Sequence, residues 1–108
     1  MKDAPGAIPP EGYAPYLRKL DEMRQMHIAK AHDYGTDQDP LSNLRASAQF
    51  GVEPWVGAVI RMNDKVTRIA SLCQKGTLKN ESVEDSLLDI AAYALLALVL
   101  LDEKRSRE

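Results

Sequence analysis

The spacing of apolar residues predicts two long amphipathic helices. In the first, apolar side chains recur every three or four residues among charged ones over about residues 13–33. Its apolar positions are Leu17, Leu20, Met23, His27 and Ala31. The second helix is bounded by Pro54, which suits a first turn, and by Gly76, which suits a C-cap. Its predicted buried face consists of Trp55, Val59, Met62, Val66, Ile69 and Cys73.

A third helix is predicted to be apolar on nearly every side. It begins near Glu81 or Ser82, where Ser82 and Asp85 have the spacing of a capping box, and residues 87–101 are apolar apart from Asp89. A helix without a polar face must be covered all round, and two other long helices do not cover it well. We therefore expect further copies of the chain to complete the bundle. The charged residues 102–108 are expected to fray into solvent.

The rest of the chain is less regular. Asp39 and Pro40 favour a turn, residues 41–50 are compatible with a short helix, and Gly51 would end it. Residues 1–12 are rich in Pro and Gly and are predicted to form a flexible arm, followed by a single helical domain over residues 13–108. The predicted fold class is all-α: three long helices plus one short helix, in a bundle completed by homo-oligomerisation.

Charge and cysteine content narrow the function classes. The net charge of −2 argues against a protein that coats extended DNA or RNA, which needs a basic excess. The single cysteine excludes an internal disulfide and a multi-cysteine zinc site, and Cys73 is expected to be a small core residue. The apolar run is too short to span a bilayer and the first residues do not form a signal peptide. We therefore expect a cytoplasmic protein, in the host cytoplasm if it is phage-encoded, with no membrane partner.

Two carboxylates on the third helix have two interpretations. Asp85 and Asp89 are four residues apart, so both project from one side of the helix, where like charges are unfavourable unless a cation lies between them. In the first interpretation, Asp85 caps the helix and Asp89 pairs with an Arg of the second helix. In the second, the pair holds Mg²⁺, which favours a few carboxylates together with phosphate oxygens.

The second helix carries a charged ridge formed by Arg61, Asp64, Lys65 and Arg68. Such a ridge is typical of a solvated face with ion pairs, but its fixed donors also suit a phosphate-bearing ligand. At the end of the first helix, Lys30 complements the helix dipole, whereas Asp33 has the wrong sign there and requires a partner.

Three stretches of the chain, in order, resemble a known family. They are residues 30–35 (K-A-H-D-Y-G), 61–68 (R-M-N-D-K-V-T-R) and 81–93 (E-S-V-E-D-S-L-L-D-I-A-A-Y). They are similar to the signature stretches of the nucleotide modification associated domain 1 proteins, which are common in phages, and the likeness covers about residues 30–101. That family in turn resembles the MazG-like and dimeric dUTPase-like nucleotide pyrophosphohydrolases. Those are oligomeric all-α bundles that hold Mg²⁺ with E-x-x-E on one helix and E-x-x-D on the next.

The resemblance implies a nucleotide-binding protein and assigns roles to residues. It implies an acidic cluster that serves as the catalytic and Mg²⁺-binding site: Asp64, Asp85 and Asp89. It implies that the substrate phosphates are contacted by Lys30, Arg61, Lys65 and Arg68. It also implies that the sugar or base of the substrate is contacted by Asp33 and Tyr34. The chain departs from the enzymes, since Arg61 and Ser86 stand where the two motifs begin with Glu. Asp85, one residue before Ser86, is a possible substitute, so at most three of the four acidic ligands remain. This composition suits holding a phosphate better than activating water on a metal.

Three functions follow from these patterns. The first hypothesis is a nucleotide-binding protein that works as a Mg²⁺-dependent nucleoside triphosphate pyrophosphohydrolase. The second is a non-catalytic binder that sequesters nucleotides, including cyclic or signalling nucleotides of host defence. The third alternative is a structural, oligomeric phage protein in which the charged ridge only forms ion pairs.

Overall fold

The protein is all-α, as the sequence predicts. The computed structural model describes residues 7–34, 41–76 and 82–108, except for the side chains of 31–34, and these residues form helices and no strands. The helices are α1 (Ala14–Tyr34), α2 (Ser42–Arg45), a 3₁₀ helix (Ala46–Phe50), α3 (Pro54–Lys75) and α4 (Val83–Ser106). The chain divides into two compact units, Met1–Asp37, which contains α1, and Gln38–Glu108, which contains the other helices.

Local chemistry sets the helix ends where the sequence predicts them. Pro54 occupies the first turn of α3, and Gly76 ends the helix with φ 80°, its N–H donating to the Leu72 carbonyl at 2.7 Å. Gly51, at φ 77°, ends the 3₁₀ helix. The Ser82 hydroxyl caps α4 by accepting a hydrogen bond from the Asp85 N–H at 3.0 Å. The turn predicted at Asp39 and Pro40 and the possible helix start at Glu81 lie outside the described residues.

The long helices of the second unit form an antiparallel pair. Glu53, at the start of α3, pairs with Lys104 near the end of α4, whereas Lys65 in mid-α3 pairs with Asp89 nearer the start of α4. The hydrophobic core lies at the end of this pair where α2 packs against it. Its buried residues are Leu41, Leu44, Ala58 and Leu100, with Trp55, Tyr93, Leu96 and Ala97 packed against them.

A glycine lets the segment that precedes α3 approach closely. A Cβ at Gly57 would stand 3.0 Å from the Ser47 Cβ, with the Ser47 hydroxyl closer still. Because Gly57 has no side chain, the 3₁₀ helix rests against the first turns of α3.

The predicted buried face of α3 is confirmed at Trp55, Met62 and Ile69, which are half-buried, and is wrong at its other three positions. The half-buried and buried row that faces α4 runs through Ala58, Met62, Lys65, Ile69 and Leu72. Val59, Val66 and Cys73, which the apolar spacing placed in the core, are exposed in this chain. The reason is that the ion pair with Asp89 allows a charged residue to occupy a position in the contact row. The spacing of apolar side chains does not predict this position, because the residue there, Lys65, is charged.

The prediction of a frayed carboxy-terminal tail is also wrong. Helix α4 continues to Ser106, and Glu103 and Lys104 pair with residues from other helices. The antiparallel register places this last stretch of α4 beside α2 and the first turn of α3, so these charges find partners of opposite sign. Within the described ranges, no helix combines the length and apolar character needed to cross a membrane.

Candidate functional site

One side of α3 carries exposed charged residues, which we call the charged face: Arg61, Asp64 and Arg68. The spacing of three and then four residues places them along one line of the helix. In the described part of the chain, neither arginine has a hydrogen-bond or ion-pair partner for its guanidinium group. The two exposed guanidinium groups, which are unpaired as far as the described residues go, therefore lie on either side of the Asp64 carboxylate.

Lys65 lies at the edge of the charged face and turns towards α4. Its Nζ is 3.0 Å from Oδ2 of Asp89, and the two side chains are only 18% and 23% exposed. Next to Asp89 on α4, Ser86 is fully buried. The structural interpretation therefore predicted correctly that Asp89 pairs with a basic residue of the second helix, although the partner is a Lys and not an Arg. The pair holds an ammonium group in a fixed position beside the charged face.

The three predicted acidic ligands are not gathered into one cluster. Asp64 is exposed on the charged face, Asp85 is exposed in the first turn of α4, and Asp89 accepts from Lys65. No group of three or more His, Cys, Asp or Glu side chains among the described residues is placed to hold a metal ion. Mg²⁺ is bound through carboxylate oxygens, and in this arrangement the Asp89 carboxylate is paired with Lys65. The magnesium and catalytic assignments of these three residues stay predictions.

The remaining predicted substrate contacts lie on α1. Lys30 is exposed within the helix, near its end. Asp33 and Tyr34 lie in its last turn, but their side chains lie outside the described residues. The predicted contacts of these three residues with phosphate, sugar or base stay predictions.

A second cluster of charged residues, which the sequence analysis missed, lies where α3 begins and α4 ends. Arg45 of α2 donates to Glu103 through two nitrogens, at 2.6 and 3.1 Å. Glu53 is held by the Lys104 ammonium at 2.9 Å and by the Trp55 indole N–H at 2.6 Å. The Lys104 ammonium first, and then the indole N–H, lower the pKa of the Glu53 carboxyl below its ordinary value.

These residues surround a small open pocket, which we call the end pocket. Its volume is about 100 Å³, and its lining includes Arg45, Glu53, Trp55, Leu100, Lys104 and Arg107. The signal that could have found it is the opposite charge at positions 53 and 104, one beside the predicted start of the second helix and one near the end of the third. Reading that signal requires the antiparallel register.

A family model decides how this chain is classified. The model described as nucleotide modification associated domain 1 matches residues 30–101, two thirds of the chain. The chain belongs to that family. The resemblance proposed from the three signature stretches is thereby confirmed for the family, while the further likeness to the MazG-like enzymes stays a prediction. Searches of curated proteins and of solved structures found no match.

The family match separates the two charged clusters. The charged face, Lys65 and Asp89 all lie inside the range matched by the nucleotide modification associated domain 1 family. The carboxy-terminal half of the end pocket, with Glu103, Lys104 and Arg107, lies beyond that range. The matched range therefore includes the whole charged face and, of the end pocket, Arg45, Glu53 and Trp55.

Proposed function

We propose that this protein binds a nucleotide by its phosphate groups on the charged face of α3. The observation that carries the proposal is the pair of exposed guanidinium groups of Arg61 and Arg68, which have no partner among the described residues, in a family associated with nucleotide modification. Together with Lys65, these groups form a row of three cations.

The chemistry of the row suits phosphate. Guanidinium groups present several N–H donors in a rigid planar arrangement that matches two oxygens of one phosphate group. Lys65 adds a point charge held against α4 by Asp89, so little of its side-chain freedom remains to be lost on binding. Three cations and two carboxylates, Asp64 and Asp89, leave one positive charge in excess on this surface.

The geometry favours binding over hydrolysis. A pyrophosphohydrolase would need Asp64, Asp85 and Asp89 around Mg²⁺, and the described side chains do not present that arrangement. Asp89 instead neutralises Lys65. Binding without turnover, as in a protein that sequesters nucleotides, is therefore our leading proposal. Pyrophosphate release is the second candidate, because the signature stretches resemble those of the hydrolases.

We also propose that copies of this chain associate through α4. Leu87, Leu95 and Leu98 are each about half exposed, and their spacing places them on one side of the helix, away from the α3 contact. A patch of large apolar side chains on a helix with no charge between residues 90 and 101 is typical of a protein interface. Leu95→Glu is expected to lower the mass measured by size-exclusion chromatography with light scattering. An unchanged mass would contradict this interface.

A nucleotide panel tests the proposed function. Ribonucleoside and deoxyribonucleoside triphosphates and cyclic nucleotides are added, with and without Mg²⁺, while melting temperature and pyrophosphate release are followed. We expect at least one nucleotide to raise the melting temperature without pyrophosphate release, and the effect to be lost in Arg61→Gln/Arg68→Gln. Arg105→Gln is the matched control, because this exposed arginine lies outside the charged face.

Each outcome of the panel has one meaning. Release of pyrophosphate that is lost in Asp89→Asn, at a temperature where circular dichroism shows the variant to be folded, would establish the hydrolase. Stabilisation that survives in the double arginine variant would place the nucleotide elsewhere and contradict the proposed surface. The absence of any effect would leave the structural, oligomeric alternative.

A further inference from the structure

The end pocket has one aromatic wall that is held in place before any ligand arrives. The Trp55 indole N–H donates to Oε2 of Glu53 at 2.6 Å, while Oε1 of the same carboxylate binds Lys104 at 2.9 Å. The indole also packs against the buried cluster that contains Leu100. A ring fixed on both its polar and its apolar side loses little freedom when another ring stacks on it.

Among the residues that the structure describes, one cation of the end pocket has no partner. Glu53 is paired with Lys104 and Glu103 with Arg45. Arg107, the C-cap residue of α4, also lines the pocket, and its guanidinium has no hydrogen-bond or ion-pair partner in the described part of the chain. The pocket therefore offers an apolar surface for a ring and one free group for an anion.

The size of the pocket limits the ring. A closed cavity of about 150 Å³ holds one benzene molecule. An open pocket of about 100 Å³ therefore has room for no more than a single ring, and the rest of the ligand would lie in solvent. Among the chemical groups that combine a flat ring with an anion a few bonds away, the family description favours a nucleotide. The restriction to a single ring makes it a pyrimidine nucleotide.

We propose that the end pocket is a second ligand site, which binds the base of a pyrimidine nucleoside monophosphate against Trp55 and its phosphate on Arg107. The inference rests on the proposed function only for the class of ligand. Its residues are different from those of the charged face, and three of them lie beyond the range that the family model matches.

Tryptophan fluorescence reports on this site alone, because Trp55 is the only tryptophan of the chain. The full chain is titrated with thymidine 5′-monophosphate, with excitation at the red edge of the tryptophan band, where the nucleotide does not absorb. We expect saturable quenching, and binding of thymidine about tenfold weaker, since it lacks the charge-assisted hydrogen bond to the phosphate. Adenosine 5′-monophosphate, with its bicyclic base, is expected to bind more weakly than thymidine 5′-monophosphate.

The control variants separate this site from the charged face. Arg107→Gln should weaken thymidine 5′-monophosphate to the level of thymidine, whereas Arg105→Gln, on an exposed neighbour, should leave it unchanged. The quenching should persist in Arg61→Gln/Arg68→Gln, so that failure of the charged face and failure of the end pocket are distinguishable. None of these substitutions removes a buried side chain.

Three results would overturn the proposal. These are the absence of saturable quenching by thymidine 5′-monophosphate, equal binding of the nucleoside and the nucleotide, and no effect of Arg107→Gln. Phenylacetate provides a further arm, because it combines a single ring with a carboxylate. If it bound as tightly as the nucleotide, the pocket would recognise any aromatic acid, and the nucleotide assignment would be wrong.

Discussion

The ion pair between Lys65 and Asp89 gives the most quantitative prediction about the fold. Loss of one partner from a fully buried pair costs about 3–5 kcal/mol, and exposed pairs contribute about 0.2–1 kcal/mol. With side chains 18% and 23% exposed, this pair lies between the two limits. We expect Lys65→Met to lower the free energy of unfolding by about 1–3 kcal/mol, because it leaves the Asp89 carboxylate partly buried without its ammonium partner.

The two single variants are expected to differ. Asp89→Leu should cost less than Lys65→Met, since the long stem of Lys65 allows its ammonium to reach solvent whereas the short Asp side chain cannot. The double variant Lys65→Met/Asp89→Leu should be close to the wild type, because an apolar pair of similar volume is often as stable as a buried ion pair. The coupling energy of the cycle then equals the sum of the two single costs, and is therefore no smaller than the cost of about 1–3 kcal/mol for Lys65→Met alone.

Urea unfolding without nucleotide, followed by circular dichroism, measures this cycle. For a domain of this size, each kcal/mol also shifts the melting temperature by about 4–8 °C. The exposed pair Lys19–Glu22, with side chains 70% and 53% exposed, is the matched control, and the cycle Lys19→Met/Glu22→Leu should give a coupling below about 0.5 kcal/mol. Additive effects of the two substitutions at 65 and 89 would refute the reasoning that burial strengthens this pair.

Three further predictions concern the packed end of the α3–α4 pair. Gly57→Ala should lower the free energy of unfolding by up to about 2 kcal/mol, because a clash of about 1–3 kcal/mol with Ser47 outweighs a gain of about 1 kcal/mol in helix propensity. A rise in the melting temperature of this variant would contradict the close approach of Ser47 to Gly57. Because the pKa of Glu53 is lowered in the folded protein, its carboxylate stabilises the fold at pH values above the ordinary pKa of 4.5. This stabilisation is lost as the pH falls through the folded-state pKa. The difference in melting temperature between the wild type and Glu53→Gln should therefore shrink on acidification below that value, and a constant difference would oppose this. Deletion of residues 103–108 should lower the free energy of unfolding in urea, because it removes the ion pairs of Glu103 and Lys104, whereas a frayed tail would contribute nothing.

The sequence predicts the helices well because their ends depend on local chemistry. A left-handed glycine such as Gly76 and a capping hydroxyl such as that of Ser82 act within four residues of themselves, so their effect is visible in the sequence. The contact face of α3 depends instead on where a charge finds its partner. Lys65 enters the contact row only because Asp89 lies opposite, 24 residues away in the chain.

The two candidate sites also differ in whether the sequence alone predicts them. The charged face was predictable, because residues three and four apart on one helix are neighbours whatever the tertiary structure is. The end pocket was not, because Arg45, Trp55 and Arg107 come from three distant parts of the chain. Only the antiparallel register of α3 and α4 brings them to one end.

The most direct test of nucleotide binding on the charged face compares a nucleoside triphosphate with its own nucleoside by isothermal titration calorimetry. The nucleotide is the purine nucleotide that most raises the melting temperature in the panel, because a bicyclic base does not suit the end pocket. If Arg61 and Arg68 bind phosphate, the triphosphate should bind the wild type and Arg105→Gln alike, the nucleoside should bind at least tenfold more weakly, and Arg61→Gln/Arg68→Gln should lose that preference. Equal affinities for nucleoside and triphosphate, or an unchanged preference in the double variant, would contradict the central claim.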